Sequence, residues 1–236
     1  MSDTATEPSL PETADDLLAA TPETAYFWGR VAGDGDLTDE TVTVRASDET
    51  AAAALAAIVD AERVDHQVTA HESTHDASVV RYEDEYELQV SDGTAARASA
   101  ALGLPTDGEA GGYRFDVFSD ERAPLVRGLL EACGTVCFRE SSGSVGISFV
   151  HDDERLLETV KTLLAEAELH VPTDDLEDSS SGGYWFGLAD DADTAAFAEW
   201  VYQGSDESGL YAADRRQKLF RSVERATGTD VGNLST

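Results

Sequence analysis

Two short apolar segments, FWGRVAGDG (residues 27–35) and VRGLLEACG (residues 126–134), stand 99 positions apart, so that Gly29 falls on Gly128 and Gly33 on Ala132. A glycine inside a helix costs about 1 kcal/mol relative to alanine, so glycines at one-turn spacing need a packing reason. Small residues four apart expose a strip of backbone that a second helix can approach closely. The pattern predicts two helices that meet through Gly29, Gly33, Gly128 and Ala132 at a pseudo-dyad in the middle of the molecule.

The surrounding sequence repeats in the same way. Thr21 and Pro22 supply an N-cap and a first helical residue for the Gly29 segment. Strands are predicted at GDLT and TVTVRAS, a capped helix over 47–62, strands at HQVTAHE and within 79–90, and a helix at DGTAARASAALG. A second round follows: SDERAPLVRGLLEACG as helix, TVCFRE and SVGISFV as strands, DDERLLETVKTLLAEAE as helix, strands near LHVPT and GGYWFGLA, and a helix over 190–202. The fold class expected is therefore α+β, with two pseudo-symmetric αββαββα repeats, antiparallel sheets and central packed helices. The expected boundaries are a disordered acidic arm over 1–20, repeats over 21–104 and 120–207, a linker over 105–119, and a basic helix and tail over 208–236.

The chain holds 48 Asp and Glu against 16 Lys and Arg, a net charge of −32, and only Lys161 and Lys218 are lysines. At molar salt the Debye length falls to about 3 Å and such self-repulsion is screened. The composition resembles that of halophilic archaeal proteins, so the acidity reads as solvation in salt rather than as a sign of a partner. The N-terminus lacks a basic and apolar leader, and no stretch reaches the roughly 18 apolar residues of a membrane span, so a cytoplasmic monomer with no membrane contact is expected. Cys133 and Cys137, four apart, read as small buried residues rather than a redox or zinc pair.

The residues then resemble the LAGLIDADG homing endonuclease family in its single-chain, two-repeat form. FWGRVAGDG is similar to the nine-residue signature at Gly29, Asp34 and Gly35, and VRGLLEACG at Gly128, Leu129, Ala132 and Gly134. The stretch FAEWVYQGSDESGLYAADRRQKLF (197–220) is similar to the end of the second half in such proteins. The resemblance implies two signature helices packed centrally, saddle-shaped sheets over DNA, and a divalent metal held by the acid at the eighth signature position of each half. Here the first copy keeps Asp34 and the second has Cys133, while the sixth position is Ala32 in one and Glu131 in the other. A cysteine is a poor ligand for Mg²⁺, so cleavage of both strands is expected to be lost, with Asp34 and Glu131 as vestiges that could still share one ion. Read without the family, Asp34 is a helix-terminal carboxylate between turn glycines and Glu131 a solvated or helix-end side chain.

Duplex DNA is the partner that the resemblance implies, yet the strands offer few cations beyond Arg45 and Arg139. The local basic cluster is Arg215, Arg216, Lys218, Arg221 and Arg225 on the last helix, placed to reach phosphates or to pair with the acidic surface. A second class is metal handling: His66, His71 and His75 lie within ten residues of each other beside Asp65, Glu72 and Asp76, and imidazole suits Co, Ni or Zn. Against it, the spacing matches no established zinc pattern, and an exposed polar hairpin explains the same residues. Small acidic chains of this type also resemble proteins of haloarchaeal cobalamin-synthesis clusters, which implies cobalt, although no motif carries that likeness. The reading is a catalytically degenerate protein with a nucleic-acid-binding or accessory role, with a cobalt- or cobalamin-related function, a residual nickase using Asp34, or a protein partner as alternatives.

Overall fold

A computed structural model of the chain describes residues 10–72, 80–91, 93–106, 111–180, 182–190 and 192–228. Helix α1 runs over Pro22–Asp34 and α4 over Arg122–Cys133. Thr21 caps α1 through a reciprocal pair with Thr24, and Pro22 opens the first turn. Each helix ends at the glycine of its repeat: the Gly35 N–H donates to Val31 O and the Gly134 N–H to Leu130 O.

The two helices cross with their backbones in contact. A Cβ placed on Gly29 would fall on the Leu125 carbonyl oxygen and lie 3.1 Å from the Gly128 Cα. A Cβ on Gly128 would fall on the Tyr26 carbonyl oxygen and lie 3.0 Å from the Gly29 Cα. Tyr26 and Leu125 are themselves 99 apart, so the clash is reciprocal, as a twofold relation requires. One turn on, a Cβ on Gly33 would sit 2.6 Å from the Ala132 Cβ.

The first repeat continues with β1 (Asp36–Leu37), β2 (Val42–Ala46), α2 (Glu49–Ile58), β3 (Asp65–Glu72), β4 (Val80–Val90) and α3 (Thr94–Leu102). The second continues with β5 (Gly134–Arg139), β6 (Ser144–His151), α5 (Glu154–Ala165), β7 (Glu177–Asp178), β8 (Tyr184–Gly187) and α6 (Thr194–Val201). Both sheets are antiparallel, ordered β1-β2-β4-β3 and β5-β6-β8-β7, which is one topology used twice. Val42, Val44, Ala46 and Leu88 turn one face of the first sheet into the core, and Val136, Ile147, Phe149 and Phe186 do so in the second. The chain closes with α7 (Ser205–Ser208) and α8 (Ala213–Thr227).

Three expectations change. Residues 10–20 are packed rather than a loose arm: Leu17 is buried and accepts the Trp28 indole N–H at 2.6 Å, and the Ala14 N–H donates to Ile58 O. A few apolar side chains anchor a polar segment when a buried indole needs an acceptor; residues 1–9 lie outside the described residues. The strand expected near LHVPT is a single bridge between Thr173 and Leu188, because the Val171 N–H closes the end of α5 on Leu164 O and Pro172 has no N–H to give. The last helix begins at Ala213, since Gly209 is left-handed (φ 68°) and ends α7 first.

Gly29→Ala is expected to lower the unfolding free energy by about 1–3 kcal/mol or more, the range for overpacking a tight core, and by more than Gly33→Ala, which meets side chains rather than backbone. Urea unfolding in molar KCl measures both, and equal, near-zero effects would contradict this packing.

Candidate functional site

The ends of α1 and α4 bring together the two positions where the signature places its acids. Asp34 is exposed at the end of α1, yet the protein crowded around it raises its carboxyl above the ordinary range, against the pull of Arg30 and Arg45. Across the helix pair, Cys133 Sγ points back along α4 and lies 3.3 Å from Leu129 O. Burial, and then the neighbouring Asp34 charge, push its thiol up to about 12. A thiol held neutral offers nothing to Mg²⁺, which demands near-octahedral oxygen ligands, so the residues present do not fit the pair of metal-holding acids that the fold family uses. Among the described residues no three His, Cys, Asp or Glu groups converge on a metal position.

Glu131 is neither solvated nor at the helix end. Its carboxylate is buried, accepting the Tyr26 hydroxyl at 2.7 Å and the Ala212 N–H at 2.9 Å, with Arg30 Nη1 at 3.5 Å. Burial raises its pKa in spite of these partners. Both oxygens are thus engaged by the protein, which leaves no open ligand for an ion shared with Asp34. Arg30, 2 % exposed, donates Nη2–H to Arg45 O at 2.6 Å, while its Nε and Nη1 have no hydrogen-bond acceptor. Burial opposes its charge, but Tyr26, Glu131, Asp34 and Asp48 outweigh that and keep it protonated.

Arg127 completes this interior. Its guanidinium donates to the carbonyls of Val201, Leu210 and Gln203 at 2.7, 2.8 and 2.7 Å, fastening the turn after α6 to α4. Sequence reasoning passed over Arg30 and Arg127, because an arginine among apolar helix residues reads as a stem that snorkels to water. The one available signal was their place inside the two small-residue segments, where a helix buried all round leaves no polar face.

The open faces of the two sheets differ. On the first, the register sets Asp36 beside Thr43, Arg45 beside Glu87, and Gln67 beside Glu85. The Arg45 guanidinium is spent on Asp36 at 2.8 Å and Glu87 at 3.3 Å. On the second, the open face carries Thr135, Ser148 and Gly187 in one row and Cys137 and Gly146 in the next. Cys137 is therefore exposed, unlike the buried small residue expected, because its strand position alternates away from Val136.

The basic cluster of α8 is dispersed. Arg216 pairs with Asp206 through two contacts and lies 4.8 Å from the Tyr211 ring, and Arg225 pairs with Glu140 and stacks 4.2 Å from Phe138. Lys218 and Arg221 are exposed. Arg215 turns inward, its Nη1 donating to Gly134 O at 3.1 Å, beside Cys133. In the proposed histidine group, His66 is 2.7 Å from Asp84 Oδ1 and stacks on Tyr86 at 4.4 Å. The side chain of His71 and all of His75 lie outside the described residues.

A central glycine-packed helix pair and two copies of one sheet topology define the LAGLIDADG fold. Residues 1–229 match the LAGLIDADG family described as "Putative archaeal homing endonuclease", and the chain belongs to that family. Among solved structures it is similar to full-length DUF199/WhiA from Thermatoga maritima, with a TM-score of 0.52 and 9% identity over 88% of this chain and 61% of that one. It is also similar to the homing endonuclease I-WcaI bound to its DNA recognition sequence, with a TM-score of 0.54 and 6% identity over 85% of this chain and 87% of that one. At such identities the likeness is one of fold, and the chain spans about three-fifths of the length of the WhiA protein. No curated protein sequence matches it.

The two thiols should differ sharply in reactivity. In iodoacetamide at pH 8, Cys137 is expected to alkylate while Cys133 stays unmodified in the folded protein, since only thiolate reacts; peptide mass spectrometry reads the ratio, and equal labelling would contradict a half-buried Cys133 held as the thiol.

Proposed function

We propose that this chain is a LAGLIDADG protein that has lost strand cleavage and acts by binding duplex nucleic acid in a salt-rich cell interior, as a regulatory or accessory factor. The observation that carries the reading is the helix-end pair: one carboxylate, Asp34, faces a neutral thiol, Cys133, where two hard oxygen ligands are needed to stabilise attacking and leaving oxygens. Glu131, the acid of the second signature segment, is consumed by Tyr26, Ala212 and Arg30. Retention of the duplicated fold supports duplex binding, as does its likeness to I-WcaI, a protein solved on its DNA recognition sequence. The excess of 48 acidic over 16 basic residues supports a halophilic setting, in which screening removes repulsion between an acidic sheet and phosphate. In this reading residues 21–104 and 120–207 are the two repeats joined by 105–119. Metal handling is the weaker reading, because His66 is already occupied by Asp84 and Tyr86.

Supercoiled plasmid incubated with the protein in molar KCl and Mg²⁺ or Mn²⁺ should stay uncut, with wild type and Asp34→Asn alike. Nicked plasmid that appears with wild type and disappears with Asp34→Asn would overturn the loss of cleavage and establish a nickase.

A further inference from the structure

The centre of the molecule has not merely lost a ligand; its charge has been rebuilt. Where the fold family brings two carboxylates and divalent metal together, this chain brings one carboxylate, a neutral thiol and two arginines. Arg30 is fully buried, its Nη1 ion-paired with Glu131 at 3.5 Å and its Nε–H without a hydrogen-bond acceptor. Arg215 lies beside the Cys133–Gly134 step, held by one hydrogen bond from Nη1 to Gly134 O. Arg30 is tied to β2 of the first repeat through Arg45 O, and Arg215 to the start of β5 in the second through Gly134 O.

The position of Arg215 follows from the way the C-terminal segment is docked. Glu131 accepts the Ala212 N–H, and Arg127 holds the carbonyls of Val201, Gln203 and Leu210. Two buried charged groups of α4 thus fix the start of α8 against the centre, and Arg215 is the first cation of that helix. Its Nε–H and Nη2–H make no hydrogen bond to the described residues, and it is partly open to water. Lys218 and Arg221 lie further along the exposed side of α8.

We propose that Arg215 supplies the positive charge at the centre of the duplex-binding surface, so that a backbone phosphate at the pseudo-dyad is met by its guanidinium and binding is independent of divalent cations. The proposal rests on the duplex-binding reading above and adds which group meets the phosphate there. A guanidinium suits the role because it stays charged, and a planar fork of donors matches phosphate oxygens. Arg30, sealed beneath, adds to the local potential and makes no contact with the ligand.

The test is fluorescence anisotropy of a labelled mixed-sequence DNA duplex with the full chain in molar KCl, in Mg²⁺ and in EDTA. Wild type is expected to bind with the same Kd in both. Arg215→Gln is expected to weaken binding about tenfold, the loss of one charge-assisted contact, Arg215→Lys to recover part of it, and Arg97→Gln on α3 to leave Kd nearly unchanged although it removes the same charge. Thermal unfolding verifies that each variant is folded, and the comparison of Mg²⁺ with EDTA on wild type needs no variant at all. A wild-type Kd that rises tenfold in EDTA, or Arg215→Gln and Arg97→Gln weakening binding equally, overturns this inference while the duplex-binding reading stands. Wild type that fails to bind duplex in any condition overturns both.

Discussion

Close approach of two helix backbones at Gly29 and Gly128 is the constraint from which the rest of the structure follows. No side chain separates the chains there, so neither helix can rotate or slide without carbonyl oxygens colliding with the opposite backbone. With the helices locked, Gly35 and Gly134 deliver each chain directly into the first strand of its sheet, and the two sheets are placed as a pair. Both end glycines are required by proximity rather than by torsion: a Cβ on Gly35 would lie 2.6 Å from Thr43 O, and neither residue has a left-handed φ.

Around this symmetric contact the chemistry is asymmetric. Tyr26 and Arg30 on the first helix face Arg127 and Glu131 on the second, and none of the four falls on a like residue 99 positions away. Buried ion pairs of this kind add little net stability over an apolar packing, but they are costly to break and specify what lies beside what. Here they specify the docking of the C-terminal segment: Glu131 and Arg127 take hold of residues 201–212, and α8 is laid against the second sheet. The linker plays the matching part on the other side, where the Gly111 N–H and Tyr113 hydroxyl both reach the Asp153 cap of α5 at 3.0 Å. The acid of the second signature segment, Glu131, thus belongs to the clasp between the halves rather than to the helix ends.

The architecture was legible because its signals are local and periodic. Small residues at one-turn spacing, the cap at Thr21, and the strand segments VTVRA and SVGISFV each report a backbone requirement. The candidate site was half legible: the exchange of an acid for Cys133 is visible in the aligned segments, but the fate of Glu131 is not. Whether a carboxylate one turn from a helix end is wet or buried depends on Tyr26 and Ala212, which are 105 and 81 positions away. The same holds for Arg215 and Arg216, neighbours in sequence that turn to Gly134 O and to Asp206. Composition gave the wrong expectation for residues 10–20, because their polar character says nothing of the one indole that needs Leu17 O.

If the helix pair is what joins the halves, α1 and α4 must open together. Native-state hydrogen exchange in molar KCl measures this directly, through the free energy at which each amide becomes accessible. The slowest amides of α1 and α4 are expected to exchange with one common free energy, equal to that of global unfolding. Exchange of α1 through a cheaper opening that leaves α4 and the second sheet protected would contradict it.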